Sequence, residues 1–320
     1  MLNKKFGYLI DQKRLEKVVK RVDLARIAKE RIFALEFKTF LPQWNLPEEL
    51  EFDPQRDEIA NPLIAANYLW TCAFFERLSQ SRVIMRNAQK VWNSDMQWIF
   101  FPKAVIKKDI FYIDDILKKG FQFGLRGRNE EYPAERFRYN SMKLVMEYSG
   151  DPRNIIEGKS VDEARKKLME FKGIGTGIAN LYIIYLLDRK IASPTNPEDI
   201  LFKVDIHKGR IPLNTNSIST ENGEVYREDI SRDLEQAYLL ACKNQNIDPS
   251  LTDAALWIIG SELCAKQDYH SCSTCPLVNS YCVSNVSEDE NTGRFKVYDS
   301  KGKRVETRKN IGQQTFNFDI

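Results

Sequence analysis

The sequence predicts an all-α protein, and three observations carry that prediction. Apolar residues recur every three to four positions over most of the chain from residue 11 to residue 264. Period-two alternation, the mark of a half-buried strand, is sparse until the C-terminal tail. With 320 residues, 42% of them hydrophobic, the chain can bury a substantial core in one to three domains.

The elements follow in order. Residues 11–37 place Leu15, Val18, Val19, Val22, Ile27 and Phe33 on roughly one face, with Lys, Arg and Glu between them, and predict a first helix. Pro42, Pro47 and Pro54 then punctuate a connector that ends in an acidic stretch. Helical segments follow at 62–78, 82–93, 96–106 and 112–120. A polar, Arg-rich loop covers 124–133, and another helix covers 134–149. Ser160 and Glu163 have the spacing of a capping box, which opens a helix over 160–171. The next helix, 176–188, is apolar on nearly every side, through Ile178, Ala179, Leu181, Ile183, Ile184, Leu186 and Leu187, so it belongs in a core. Two more helices fit 229–244 and 252–264. Residues 284–293 read as a polar linker, and 294–298 with 304–306 can form a small β-hairpin. No repeat of fixed period is present.

Net charge is only +3, so no global basic field announces a nucleic-acid partner, and any such site must be a local patch. The first ten residues hold too few apolar positions for a secretory leader, and nowhere do 18 apolar residues run together. The expectation is a cytosolic chain without a membrane segment. Six cysteines are present, and four of them, Cys264, Cys272, Cys275 and Cys282, fall within one short segment. In such a chain this clustering argues for a metal site rather than disulfides. Cys72 and Cys242 lie in apolar helical segments and read as small core residues.

Between helices 160–171 and 176–188 stands a tight turn, Gly173-Ile-Gly175. Such a turn leaves backbone N–H groups pointing outward at the start of the second helix, a ready site for an anion such as a DNA phosphate. An αα-hairpin whose glycines serve only the turn would look the same.

Past that helix the resemblance becomes plain. Phe171-Lys-Gly-Ile-Gly-Thr-Gly-Ile-Ala179, followed by Val204-Asp-Ile-His-Lys-Gly-Arg210, resembles the helix-hairpin-helix motif and catalytic-aspartate segment of the endonuclease III-like DNA glycosylases. The likeness spans about residues 58 to 283 and is clearest from 134 to 211 and at the cysteines. It implies that Asp205 is the catalytic carboxylate and that Lys172, Gly173, Gly175, Thr176 and Gly177 lie at the DNA backbone. Cleaving an N-glycosidic bond develops positive charge on the sugar, which a carboxylate beside C1′ stabilises while it orients a water. The base must first leave the duplex, so the strand has to be held firmly. A helix cap or a surface ion pair is the plain alternative for Asp205. His207 reads as a packing residue.

Two departures matter. Strand-cutting members carry a Schiff-base lysine two residues after the second hairpin glycine, and here that position is Gly177. The expectation is therefore a monofunctional enzyme that leaves an abasic site. The chain between helix and aspartate is also longer than the family's and includes Ser193-Pro-Thr-Asn-Pro197, an insertion able to reshape a pocket. The adenine-excising branch uses a glutamate on an early helix. Leu69 falls nearest that place and Glu76 lies about two turns on, so adenine is not the favoured base.

Cys264-x7-Cys272-x2-Cys275-x6-Cys282, with Pro276 after the third cysteine, resembles the iron–sulfur loop of the same glycosylases, with one more residue in each long gap. The resemblance implies a 4Fe–4S cluster on these four thiolates, and structural zinc is the rival. Lys266 could add a phosphate contact. Arg126 and Arg128, with Arg136 and Arg138 beyond them, interleave with Tyr132, Phe137 and Tyr139, a mixture suited to phosphate grip and base stacking or to a solvated loop. Lys301, Lys303, Arg304, Arg308 and Lys309 make the tail basic.

The fold implied by the resemblance has two helical lobes, with the active site in the cleft between them. A barrel over 58–195 carries the hairpin, a cluster lobe combines the segment 1–57 with 196–285, and a polar tail covers 286–320. The expected partner is double-stranded DNA containing an altered base, bound by a monomer in the nucleoid-bearing cytoplasm of a prokaryote or the nucleus of a eukaryote. A non-catalytic DNA-binding protein, or a glycosylase with strand-cutting activity through a different lysine, would share these features.

Overall fold

The computed structural model describes residues 2–3, 8–33, 61–75, 81–121, 133–200, 204–220, 227–264, 269–278, 280–282, 285–288 and 295–298. Strands β1 (Leu2–Asn3) and β2 (Tyr8–Ile10) lead into helix α1 (Gln12–Ile27). After a 3-10 turn at Arg31–Phe33 come α2 (Pro62–Phe75), α3 (Ser81–Trp92), a 3-10 turn at Gln97–Phe100, α4 (Pro102–Val105), α5 (Ile110–Lys119) and α6 (Pro133–Tyr148). Helices α7 (Val161–Met169), α8 (Thr176–Asp188) and α9 (Ile206–Asn214) precede strand β3 (Ile218–Thr220). Helices α10 (Arg227–Gln245) and α11 (Pro249–Ile258) follow, then a π-helical turn at Ile259–Cys264, α12 (Tyr269–Ser273), and strands β4 (Asn285–Glu288) and β5 (Phe295–Tyr298). Among the described residues the chain is all-α apart from these short strands. No helix among the described residues is long and apolar enough to cross a membrane.

Two compact units emerge, Met1–Pro42 with Leu201–Asp319, and Gln43–Ile200. In the first, Leu15, Val18, Val19 and Val22 of α1 pack with Val204, Ile211, Tyr238, Leu256 and Ile259 into one apolar cluster. Asp11 starts α1 as its N-cap, its carboxylate accepting the Arg14 N–H at 3.0 Å. The antiparallel sheet β1-β2-β3 pairs Tyr8 with Thr220 and Ile10 with Ile218. Sequence pattern did not announce this sheet, because strands of two or three residues are too short to show alternation.

In the second unit, α8 carries buried side chains from Ile178 to Leu186 without a break, as its all-round apolar sequence requires. Trp70 of α2 meets Phe171 and Tyr182 edge-on at 4.9 and 5.3 Å, and the Tyr182 hydroxyl donates to the Ala66 carbonyl at 3.1 Å. The capping box forms as the spacing predicts: the Ser160 N–H meets the Glu163 carboxylate at 2.9 Å, and the Ser160 hydroxyl accepts the Glu163 N–H at 3.3 Å. Cys72 is fully buried in this unit and Cys242 in the other, both as core residues.

Several expectations need correction. The first helix stops at Ile27, since Lys29 adopts a left-handed φ of 50°. Ile27, about 140° round the helix from Val22, is 62% exposed, and Phe33 reaches the core from the 3-10 turn instead. The single helix expected over 96–106 is two pieces, because Pro102 cannot continue a helix but fits the first turn of α4. The helix expected to end at Cys264 changes to π geometry at Ile259. Strand β5 pairs with β4, which lies inside the predicted linker, through Val286–Val297 and Ser287–Lys296. Residues 304–306 lie outside the described residues.

Candidate active site

The hairpin belongs to the second unit. Helix α7 ends at Met169, and Gly173 turns the chain with φ 79°, a left-handed conformation that a Cβ would strain. Gly175 is the N-cap of α8 and brings no side chain to cap it. The N–H groups of Thr176, Gly177 and Ile178 therefore open α8 without a capping side chain, at the positive end of a helix dipole. The turn is held from α6. Asn140, fully buried, accepts the Lys172 N–H and donates to the Lys172 carbonyl, both at 2.9 Å. The Lys172 ammonium lies over the Tyr139 ring, 4.4 Å from its centre.

Sequence reasoning missed Asn140, although a signal existed. Ala134, Phe137, Asn140, Ser141 and Leu144 share the buried face of α6, so an amide occupies a core position of that helix. Phe137 corrects an expectation: it is buried, 5.4 Å from Phe75 and 5.2 Å from Phe74, and cannot stack on a base. Tyr139 is 39% exposed. Arg138 reaches the Ile106 carbonyl. Arg126, Arg128 and Tyr132, together with Glu76 and Lys266, lie outside the described residues. The described part of the insertion docks at the far end of the helix pair. Thr195 donates its N–H to the Lys159 carbonyl at 2.9 Å, and Asn196 accepts the Val161 N–H at 2.8 Å. That contact is at the N-terminus of α7, about 13 Å along the helix from the Gly173 turn.

Asp205 belongs to the first unit. It is the N-cap of α9, and its Oδ1 accepts the N–H groups of His207 and Lys208, each at 3.0 Å. The carboxylate is half-buried and fixed in direction by two donors. The cap is thus present, and it orients the acid.

His207 packs edge-on against Trp257 at 5.5 Å, and its ring also hydrogen-bonds the Gly260 backbone. Burial lowers its pKa, against the pull of the nearby Asp205 charge. The chain crosses there at very close range: a Cβ on Gly260 would stand 2.2 Å from the His207 carbonyl oxygen. Only glycine allows the π-helical turn to lie against the start of α9.

Lys208 is nearly fully buried, and its ammonium donates to Asp253 at 2.6 Å. Its carbonyl accepts the Tyr238 hydroxyl at 3.1 Å. These partners also escaped sequence reading. The burial of this lysine and this aspartate in α9 and α11 shows only in the folded chain.

The four clustered cysteines are half-buried, and Cys264 and Cys275 pack against the core of the first unit. Cys275 N–H donates to the Cys272 carbonyl at 3.0 Å, closing the Cys-x2-Cys turn. Burial pushes the Cys275 thiol up to about 11, while the backbone N–H groups of Leu277 and Val278 hydrogen-bond its sulfur and act the other way. Two amides aimed at one sulfur suit a thiolate ligand. Among the described residues, no group of three or more His, Cys, Asp or Glu side chains is gathered so as to hold a metal ion.

No family model and no curated protein matches the chain. Among solved structures, that of a thermostable thymine-DNA glycosylase aligns over 84% of this chain and 95% of its own, with 15% identity and a TM-score of 0.48.

Proposed function

We propose that the chain is a DNA N-glycosylase that hydrolyses the bond between a sugar and an altered base. The observation that carries the reading is the fixed presentation of Asp205, whose Oδ1 is held by two backbone N–H groups at 3.0 Å. In this reading the C1′–N bond breaks with its electron pair leaving on the base, and positive charge builds on the sugar. The Asp205 carboxylate stabilises that charge and orients a water. The water oxygen joins C1′, and its proton leaves toward the departing base or solvent. The hairpin serves as the strand grip, since the amides opening α8 carry no side-chain cap and can meet a phosphate without a basic side chain.

The same reading makes the enzyme monofunctional. Gly177 stands where a Schiff-base lysine would be, and the buried ammonium of Lys208 is bound to Asp253 at 2.6 Å. Cys264, Cys272, Cys275 and Cys282 would hold a 4Fe–4S cluster, supported by their spacing and by the N–H donors at Cys275. When bound, the cluster would supply no step of the reaction and would brace the segment that follows α11.

A panel of duplexes, each with one altered base, tests the proposal. The expected result is abasic product that breaks only after alkali, with Asp205→Asn losing at least about 100-fold in rate and binding DNA as before. Unchanged excision by Asp205→Asn would remove the mechanism, and borohydride trapping of a protein–DNA adduct would remove the monofunctional assignment. Iron with acid-labile sulfide in the fresh protein supports the cluster, and zinc without sulfide overturns it.

A further inference from the structure

We propose that Lys208 is a positioning residue for Asp205, an inference that rests on the glycosylase reading of this site. Three groups of Lys208 are engaged at once. Its N–H donates to Asp205 Oδ1 at 3.0 Å, its carbonyl accepts the Tyr238 hydroxyl at 3.1 Å, and its ammonium donates to Asp253 Oδ1 at 2.6 Å. One residue thus ties the carboxylate to α10 through Tyr238 and to α11 through Asp253.

The helix supplies the reason for the Tyr238 contact. Pro212 lies inside α9, four residues after Lys208, and has no N–H to give the Lys208 carbonyl. That buried acceptor would lose its helical partner, and the Tyr238 hydroxyl replaces it. Proline also makes the first turn of α9 separable from the rest of the ladder, so its direction is set from outside the helix. The ion pair sets it. Its side chains are 3% and 12% exposed, and such a pair adds little to stability compared with well-packed apolar residues. What it adds is a unique placement of the Lys208 backbone and hence of the N–H that Asp205 accepts. The crossing of Gly260 over His207 fixes the neighbouring donor in the same way.

The experiment compares wild type, Lys208→Met and the double variant Lys208→Met/Asp253→Leu, which removes both charges and refills the space. Three quantities are read: single-turnover excision of the base that wild type removes, affinity for the same duplex, and hydrogen exchange at the His207 and Lys208 amides. The expected result is at least a tenfold slower excision in both variants, affinity within twofold of wild type, and at least tenfold faster exchange at the two amides. The double variant is expected to regain melting temperature without regaining rate. Recovery of rate together with melting temperature would show that the pair only supports the fold and would overturn the proposal. Exchange unchanged in a folded variant would overturn it too. If wild type releases no base, the glycosylase reading fails, and the exchange measurement still decides whether Lys208 orders the cap.

Discussion

His207 sits two residues beyond Asp205, between Trp257 and the Gly260 backbone, and burial there holds its pKa below the usual 6.5. The unfolded chain then takes up a proton that the folded chain resists. Above 6.5 both states are neutral and the residue is without effect on stability; as pH falls below 6.5, unfolding is favoured. Melting temperature should therefore drop between about pH 7.5 and about pH 5.5, and His207→Gln should flatten that slope. Identical slopes in the two proteins would contradict the burial account. At this scale the helix cap at Asp205 was legible, because aspartate is a favoured cap residue. Lys208 and Asp253 were not, since their pairing joins residues 45 apart and neither spacing nor composition announces it. Phe137 was misread for a related reason: neighbours on a helix point about 100° apart, so an aromatic beside arginines in sequence can face the core, as Phe137 does.

Among elements, the α7–α8 hairpin was the most legible, with its capping box, its glycine turn and the apolar α8 all present. The two glycines are not equivalent. Gly173 has φ 79°, so Gly173→Ala should cost about 1 kcal/mol through a strained backbone. At Gly175 φ is −93° and an added Cβ meets nothing within 4 Å, so Gly175→Ala should leave the fold intact. Its methyl group would stand beside the uncapped amides, and duplex affinity should fall several-fold. Thermal melts and a binding titration separate the two effects; equal destabilisation by both substitutions would contradict the geometry. Less legible were helix ends set by long-range packing. The π turn at Ile259–Cys264 exists where Gly260 meets the His207 backbone, a contact with no local sequence signature.

For the whole molecule, the chain divides into two units, and the sequence showed helices of each without showing the sheet that joins the N-terminal strands to Ile218–Thr220. Net charge of +3 gives no general basic field, so in the proposed reading oriented groups hold the DNA strand. The central claim is electrostatic: the Asp205 carboxylate meets positive charge growing on a sugar. Affinity for two duplexes measures it most directly, one carrying a cationic pyrrolidine ring in place of the target sugar and one a neutral tetrahydrofuran ring. Wild type should bind the cationic duplex at least about tenfold more tightly, as a transition-state mimic requires, and Asp205→Asn should bind the two alike. Equal affinities in wild type, or a preference that survives Asp205→Asn, would contradict the claim.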